Sequence, residues 1–245
     1  MKVQDNVVLI TGGTSGIGLT LMKRFIAEGN KVIITGRNLT KLNELKASYQ
    51  NLDIFCGDLS EANVIDDLVN FIQSNHSNLN ILINNAGVQF NYHFISEKEV
   101  AQKIKYEIAT NFIAPILLNT KLLPILKKNS ESSIVNVSSG LFLAPKESAS
   151  VYCATKSALH TYTKTLRYQL ESEGIKVFEI IPALIETPMT AGRGKNKMST
   201  EELVDEFFKN FRYNYFEIYI GKTKLLKYLS RFLPNIADNM MRKGL

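Results

Sequence analysis

Short apolar runs alternate with amphipathic helical stretches along most of this 245-residue chain, and that alternation constrains the fold more than any other feature. Val7 to Ile10 is apolar at every position and ends at glycines, the pattern of a strand buried on both faces of a parallel sheet. A helix follows, with Ile17, Leu21, Phe25 and Ile26 on one stripe and Gly29 as its stop. The same reading predicts strands at 31–35, 53–56, 81–83, 134–137 and 176–181. It predicts helices from an Asn38 cap to about residue 49, then over 62–74, 99–127 and 149–171. Such order implies an α/β chain: a Rossmann-type doubly wound parallel sheet with helices on both faces, whose ligands bind at the carboxyl ends of the strands. The length suits a single dinucleotide-binding catalytic domain over 1–245. Within it, 188–245 is expected to form a substrate loop and a C-terminal helical extension. The loop is the polar, glycine-containing stretch 189–199.

Bulk properties narrow the chemistry. A net charge of +6 suits a phosphate-bearing ligand, but the basic residues are spread along the chain, which argues against nucleic acid. Cys56 and Cys153 make no disulfide framework, and Cys153 reads as a small packing residue. His76, His93 and His160 lack metal-ligand spacing, so no metal is expected. The first apolar run is far shorter than a signal segment and no run reaches the about 18 residues of a membrane span. A cytoplasmic protein is expected.

Thr11-Gly-Gly-Thr-Ser-Gly-Ile-Gly18 joins the first strand to the first helix. Gly12, Gly16 and Gly18 then serve a tight turn, close backbone approach to a pyrophosphate, and close helix–sheet packing. The helix start adds free N–H groups and a positive dipole. The spacing of the glycines alone is weak; its place between a strand and an amphipathic helix is what points to a dinucleotide. The second strand ends Thr35-Gly36-Arg37, with no acidic residue to accept bonds from the adenosine ribose. Arg37 can pair two-pronged with a phosphate, which favours NADP(H) over NAD(H); its duller alternative is a solvated side chain at a helix start. Asp58 is either an acceptor for the adenine amino group or a cap for the next helix.

Tyr152 and Lys156 stand four residues apart, on one face of a helix. A positive charge beside a phenol lowers its pKa, and a tyrosine tuned that way exchanges a proton with a substrate hydroxyl or carbonyl. Ser139, at the end of a strand-like run, could hold the same oxygen. Each residue also has a bland reading: an exposed helical pair, or a loop serine.

Taken together these residues resemble the classical short-chain dehydrogenase/reductase family, from Val7 to about Gly221. The resemblance matches the family's T-G-x-x-x-G-x-G to Thr11–Gly18 and its N-N-A-G to Asn84–Gly87. It implies a catalytic set of Asn111, Ser139, Tyr152 and Lys156, with Asn111 holding a water that links Lys156 to solvent. It implies cofactor contacts from Thr14, Ser15 and Ile17 beside the glycines, and from Asp58 and Leu59 after the third strand. Further contacts are implied from Asn85, Ala86 and Gly87, then from Pro182, Ile185 and Thr187, as well as from Tyr152 and Lys156 on the nicotinamide ribose. The implied reaction moves a hydride between NADP(H) and a small-molecule carbonyl or secondary alcohol. A homodimer or tetramer is implied, with the helices near 99–127 and 149–171 at the dimer interface. Two departures stand out. Pro182-Ala-Leu-Ile-Glu-Thr187 carries Ala183 where the family has glycine, and alanine tolerates positive φ poorly. The ending lacks the family's usual glycine-rich tail.

That ending has Lys222, Lys224, Lys227 and Arg231 beside an apolar stripe of Leu225, Leu229, Phe232 and Leu233. A helix packed on the domain, a partner or the substrate pocket is favoured over peripheral contact with an anionic membrane. Phe90, Tyr92, Phe142 and the loop after Thr187 are candidates for the substrate mouth. Two other functions compete. A dinucleotide-binding sensor without turnover has no need of the catalytic set. A nucleotide-sugar epimerase or dehydratase usually carries a larger segment after the sixth strand.

Overall fold

The computed structural model describes residues 1–194 and 196–243. Its centre is a seven-stranded parallel sheet of order β3-β2-β1-β4-β5-β6-β7. The strands are β1 Val7–Ile10, β2 Lys31–Gly36, β3 Leu52–Cys56, β4 Ile81–Asn84, β5 Ser132–Val137, β6 Ile175–Pro182 and β7 Glu217–Ile220. Chain order reverses at β1, which pairs with β2 on one side (Val7 opposite Lys31) and β4 on the other (Val8 opposite Ile81). The crevice beyond the carboxyl ends of β1 and β4 is where a fold of this topology takes its ligand.

Alternating residues of the strands feed two cores. Val8, Ile10, Val32, Ile34 and Phe178 pack against α1 (Gly16–Ala27), α2 (Leu39–Ser48) and α7 (Thr200–Arg212). Leu9, Ile33, Leu82, Ile134 and Val177 pack against α3 (Ala62–Asn75), α5 (Ala114–Leu126) and α6 (Ser150–Leu170). The doubly wound architecture thus matches the expectation. The strands run a residue or two beyond the apolar runs because Ser132 and Ser133 are buried in the ladder although neither is apolar.

Three elements depart from the sequence reading. The helix expected over 99–127 is α4 (Val100–Ile108), a π-helical turn (Ala109–Ile113) and α5, with Asn111 inside the π turn. This Val100–Leu126 stretch is long and apolar enough to cross a membrane by length and composition, yet here Leu118, Leu122, Ile125 and Leu126 pack in the core. The second departure is α7, capped by Ser199, whose Oγ accepts from the Glu202 N–H at 3.1 Å while Glu202 accepts from the Ser199 N–H at 2.9 Å. Its Phe207 and Phe211 join Phe178, with Phe178 and Phe211 ring centroids 4.7 Å apart. The third is β7, which adds to β6 with Ile218 opposite Ile180. Of the expected loop 189–199, Pro188–Thr190 forms a 3-10 turn and Met198 bridges to Ile185; Lys195 lies outside the described residues.

The tail forms α8 (Thr223–Phe232) and α9 (Pro234–Arg242). The expected apolar stripe is only partly its buried face: Leu229 packs against the tail's small core, but Leu225 is 62% and Phe232 69% exposed, whereas Thr223 and Leu226 are buried. The difference is a rotation of the helix, because Thr223 Oγ1 donates to the Ile181 carbonyl at 2.9 Å and turns Leu226 inward, against Ala144, Ala237 and Met241. Of the four tail cations, Lys224 pairs with Glu206, and Lys227 lies 4.1 Å from the Tyr219 ring centroid.

Candidate active site

Two cavities meet at the carboxyl ends of the strands. The first, about 250 Å³, runs along the glycine turn from Arg37 to Tyr152. Its lower wall is fixed by backbone. Gly12 and Gly16 sit at φ 67° and 52°, values costly for any residue with a Cβ. Thr11 Oγ1 accepts from the N–H groups of Asn85 and Ala86, each at 3.0 Å. The Asn85 amide returns the bond to the Thr11 carbonyl at 2.9 Å. A Cβ on Gly18 would press on Asn85 Nδ2 at 2.5 Å, so this glycine works beneath the cleft without lining it. Ser15 leaves the start of α1 without a side-chain cap, so first-turn N–H groups remain to meet an anion. These features fit a pyrophosphate.

Arg37 marks one end. Its guanidinium donates to the Tyr106 hydroxyl, which in turn donates to Asp58 Oδ2 at 2.7 Å; Arg37 and Asp58 stand 3.6 Å apart. Burial disfavours the Asp58 carboxylate, but bonds from Ser60 and Tyr106 and the Arg37 charge outweigh it and hold the carboxyl below its ordinary value. Tyr106 is the residue that the sequence reading missed here, because nothing local ties a helix residue to β2 and β3. Thr14, Ser15, Ile17, Leu59, Ala86, Gly87, Pro182 and Thr187 line the same cleft. Ile185 does not; it is buried and faces the second cavity.

At the other end, Ser139 closes β5 and its Oγ accepts from the Leu141 N–H at 3.2 Å. Tyr152 and Lys156 are buried in α6, with Lys156 Nζ 5.7 Å from the Tyr152 ring centroid. Lys156 donates to the Val137 carbonyl at 2.8 Å. A Cβ on Gly87 would lie 3.3 Å from Asn111 Oδ1 and 3.7 Å from Lys156 Nζ, so this glycine keeps room around both.

The surroundings bear on two expected roles. Burial dominates at Tyr152 and pushes the phenol up to about 12, against a downward pull from Ser139. Burial likewise brings Lys156 down to about 8. The ammonium bonds to the Val137 carbonyl and lies over the ring, and the cost of burying either charge dominates. The Asn111 side chain is also fully used, since Oδ1 accepts from the Val88 N–H at 2.8 Å and Nδ2 donates to the Val88 carbonyl at 2.8 Å. The concern over Ala183 also falls away: among the described residues only Asp5, Asn196 and Asn214 carry a positive φ without being glycine.

The second cavity, about 330 Å³, opens beside Ser139 and Tyr152 and is roofed by Leu225, Leu226, Met240 and Met241. Tyr152, Pro182 and Thr187 line both cavities, so a reacting pair would meet there. The aromatic candidates for its mouth are used elsewhere. Phe142 stacks on His160 at 3.9 Å, Tyr92 is buried against Phe94, and Phe90 packs beside Tyr106.

Known proteins carry the same frame. The family model for short chain dehydrogenases matches residues 6–198. The uncharacterized oxidoreductase DltE of Bacillus subtilis is 38% identical over 218 residues, covering 86% of each chain. A short-chain dehydrogenase from Sphingobium yanoikuyae, solved with NADPH, is 26% identical with a TM-score of 0.81, covering 94% of this chain and 95% of its own. The 3-ketoacyl-(acyl-carrier-protein) reductase of Brucella melitensis, solved with NADH, is 25% identical with a TM-score of 0.78, covering 85% and 91%. On this evidence of sequence, fold and relatives, the chain is an oxidoreductase that belongs to the short-chain dehydrogenase family.

Proposed function

We propose that the protein is an NADP(H)-dependent reductase of carbonyl compounds, or in reverse a dehydrogenase of secondary alcohols, with Tyr152 as its general acid and base. The observation that carries this reading is the wall shared by the two cavities: Tyr152 faces the dinucleotide cleft and the substrate cavity at once. The dinucleotide, when bound, supplies the hydride. On hydride delivery the carbonyl oxygen would take the Tyr152 proton and become the hydroxyl of the product, its bond to carbon intact. Burial, which pushes the Tyr152 phenol up to about 12 in the chain alone, keeps it protonated at neutral pH. Ser139 positions the carbonyl oxygen, and the Lys156 ammonium supports the phenolate as it forms. Gly12, Gly16 and the start of α1 hold the pyrophosphate, with Asn85, Ala86 and Gly87 bordering it and Thr187 beside the nicotinamide. Asn111 acts as a positioning residue through Val88.

Support for NADP(H) is the lack of an acid at the end of β2 and the presence of Arg37, 61% exposed and steadied by Tyr106 and Asp58. The NADH-bound Brucella relative keeps NAD(H) as the competing reading. A fluorescence titration with NADPH and NADH decides between them. We expect NADPH to bind at least tenfold tighter, and Arg37→Ala to remove that preference; a preference for NADH would overturn the role of Arg37. Tyr152→Phe should lower turnover about 100- to 10,000-fold while NADPH binding survives. No binding of either dinucleotide would move a regulatory module without turnover to the front.

The described residues also favour a homodimer. Ile108 and Ile113 on the α4–α5 stretch, together with Phe94, are exposed beside α6, where an apolar groove runs along Ile104, Phe112 and Ala158. Light scattering after size exclusion would return a dimer or tetramer, and a pure monomer would contradict this.

A further inference from the structure

The second cavity has an unusual balance of charge for so apolar a space. Its lining includes Lys146, Arg193 and Lys222 and, among the described residues, no carboxylate. Apolar side chains make most of the rest, including Leu141, Leu226, Met240 and Met241. Arg193 is the telling residue. With the Asn91 amide oxygen turned toward it, Asn91 accepts from Nε at 3.3 Å and from Nη2 at 3.2 Å. Those bonds steady the guanidinium but leave Nη1 buried and, among the described residues, without a partner. A buried guanidinium nitrogen without an acceptor is costly, and the acceptor it suits is an oxyanion. The Arg193 charge also reaches the reacting end of the cavity, where it draws the buried Tyr152 phenol downward.

We propose that this cavity selects an amphipathic anion: a carbonyl compound whose aliphatic part lies against Leu226, Met240 and Met241 and whose carboxylate or phosphate pairs with Arg193. The proposal rests on the reductase reading for the carbonyl, but the anion site stands on the cavity itself. Arg193 is thus a specificity-determining residue, and Lys146 and Lys222 add charge that draws the anion in.

Calorimetric titration of the full chain with decanoate, decyl phosphate and 1-decanol tests this without turnover, with and without NADP. At least one anion should bind roughly 10- to 100-fold tighter than 1-decanol at low ionic strength, the gain of a charge-assisted bond in a dry site. Comparing decanoate with decyl phosphate tells which oxyanion the site prefers. Arg193→Met should bring the anions down to the affinity of the alcohol, and Arg193→Lys should restore much of the gap. Equal affinity of all three probes would overturn the proposal, as would a gap that Arg193→Met leaves intact. If the protein reduced no carbonyl at all, the reductase reading would fall while the binding result stood. If it reduced neutral ketones and their carboxylate analogues alike, with equal probe affinities, only this inference would fall.

Discussion

The two cavities that share Tyr152 are built by different means. The dinucleotide side is set by backbone: Gly12 and Gly16 in left-handed conformation, Thr11 tied to Asn85 and Ala86, and Gly18 packed where a Cβ has no room. The substrate side is set by long, flexible side chains, Leu225, Leu226, Met240 and Met241, carried on helices beyond the sixth strand. Backbone cradles recognise what every dinucleotide shares, and they tolerate little change. A roof of leucine and methionine can be repacked around a different substrate without disturbing the sheet. The two arginines repeat the contrast: Arg37 is held by Tyr106 and Asp58, whereas Arg193 leaves one nitrogen without a partner among the described residues.

Gly18→Ala strikes the rigid side hardest. The added methyl would meet the Gly12 carbonyl and the Asn85 amide, both of which are already committed to shaping the turn. We expect NADPH affinity to fall about 30-fold or more with a lower melting temperature, since overpacking costs about 1–3 kcal/mol and the displaced atoms shape the cradle. Leu226→Ala, a larger deletion on the other side, should alter substrate preference and leave NADPH affinity within about twofold of the parent's. Titration of both variants would break the comparison if the order were reversed.

Lys156→Met tests what the shared wall costs the fold. Burial holds the ammonium down at about 8 against an ordinary 10.5, so at neutral pH the folded chain buries a charge that the unfolded chain keeps in water. This opposes folding in full below about pH 8. It is relieved as pH rises, because the folded chain then gives up a proton that the unfolded chain retains. Lys156→Met should therefore melt higher than the parent near neutral pH, with the gap shrinking between about pH 8 and 10, and should lose most turnover. Melting curves across that window check it, and a gap that does not change with pH would show that the ammonium is already neutral or well solvated.

Tyr106→Phe is a smaller change. It removes the hydroxyl between Arg37 and Asp58 and nothing else. NADPH affinity should fall about three- to tenfold, the net worth of one ordinary hydrogen bond. The Asp58 carboxyl should titrate higher, because one of the bonds holding it down is gone. Unchanged affinity would show that Arg37 needs no support.

What the sequence revealed follows the same division. Strands β1 to β6 were legible because each carries a short, mostly apolar run, even though β3 holds Asp53 and β5 buries Ser132, Ser133 and Asn136. The dinucleotide cradle was legible because only glycine suits its turns, so the chemistry is written in residue types. The π turn at Asn111 was not, since a change of hydrogen-bond register leaves no mark in an apolar periodicity. Tyr106 and Arg193 act through partners far away in sequence. Helix α7 did carry a signal, the Ser199–Glu202 capping box ahead of Leu203, Phe207 and Phe211, and reading the 189–199 stretch only as a loop passed over it. Strand β7 is four residues long and holds Glu217 and Tyr219, which hides a buried strand.

Ala183 supplies the smallest expected effect and a test of how far family pattern reaches. The glycine usual at this position suggested a backbone that alanine would strain. Here Ala183 keeps an ordinary negative φ, its N–H donates to the Ile220 carbonyl at 3.3 Å, and its methyl lies near Gly221, the residue of positive φ on β7's exit. Ala183→Gly should therefore change kcat/KM less than about twofold and cost at most about 1 kcal/mol through added freedom in the unfolded chain. Gly221→Ala should cost more than that, because its φ of 66° is costly for alanine. If Ala183→Gly instead raised turnover severalfold, the methyl would be crowding the nicotinamide side of the wall, and the substrate cavity would be less free to vary than its flexible roof suggests.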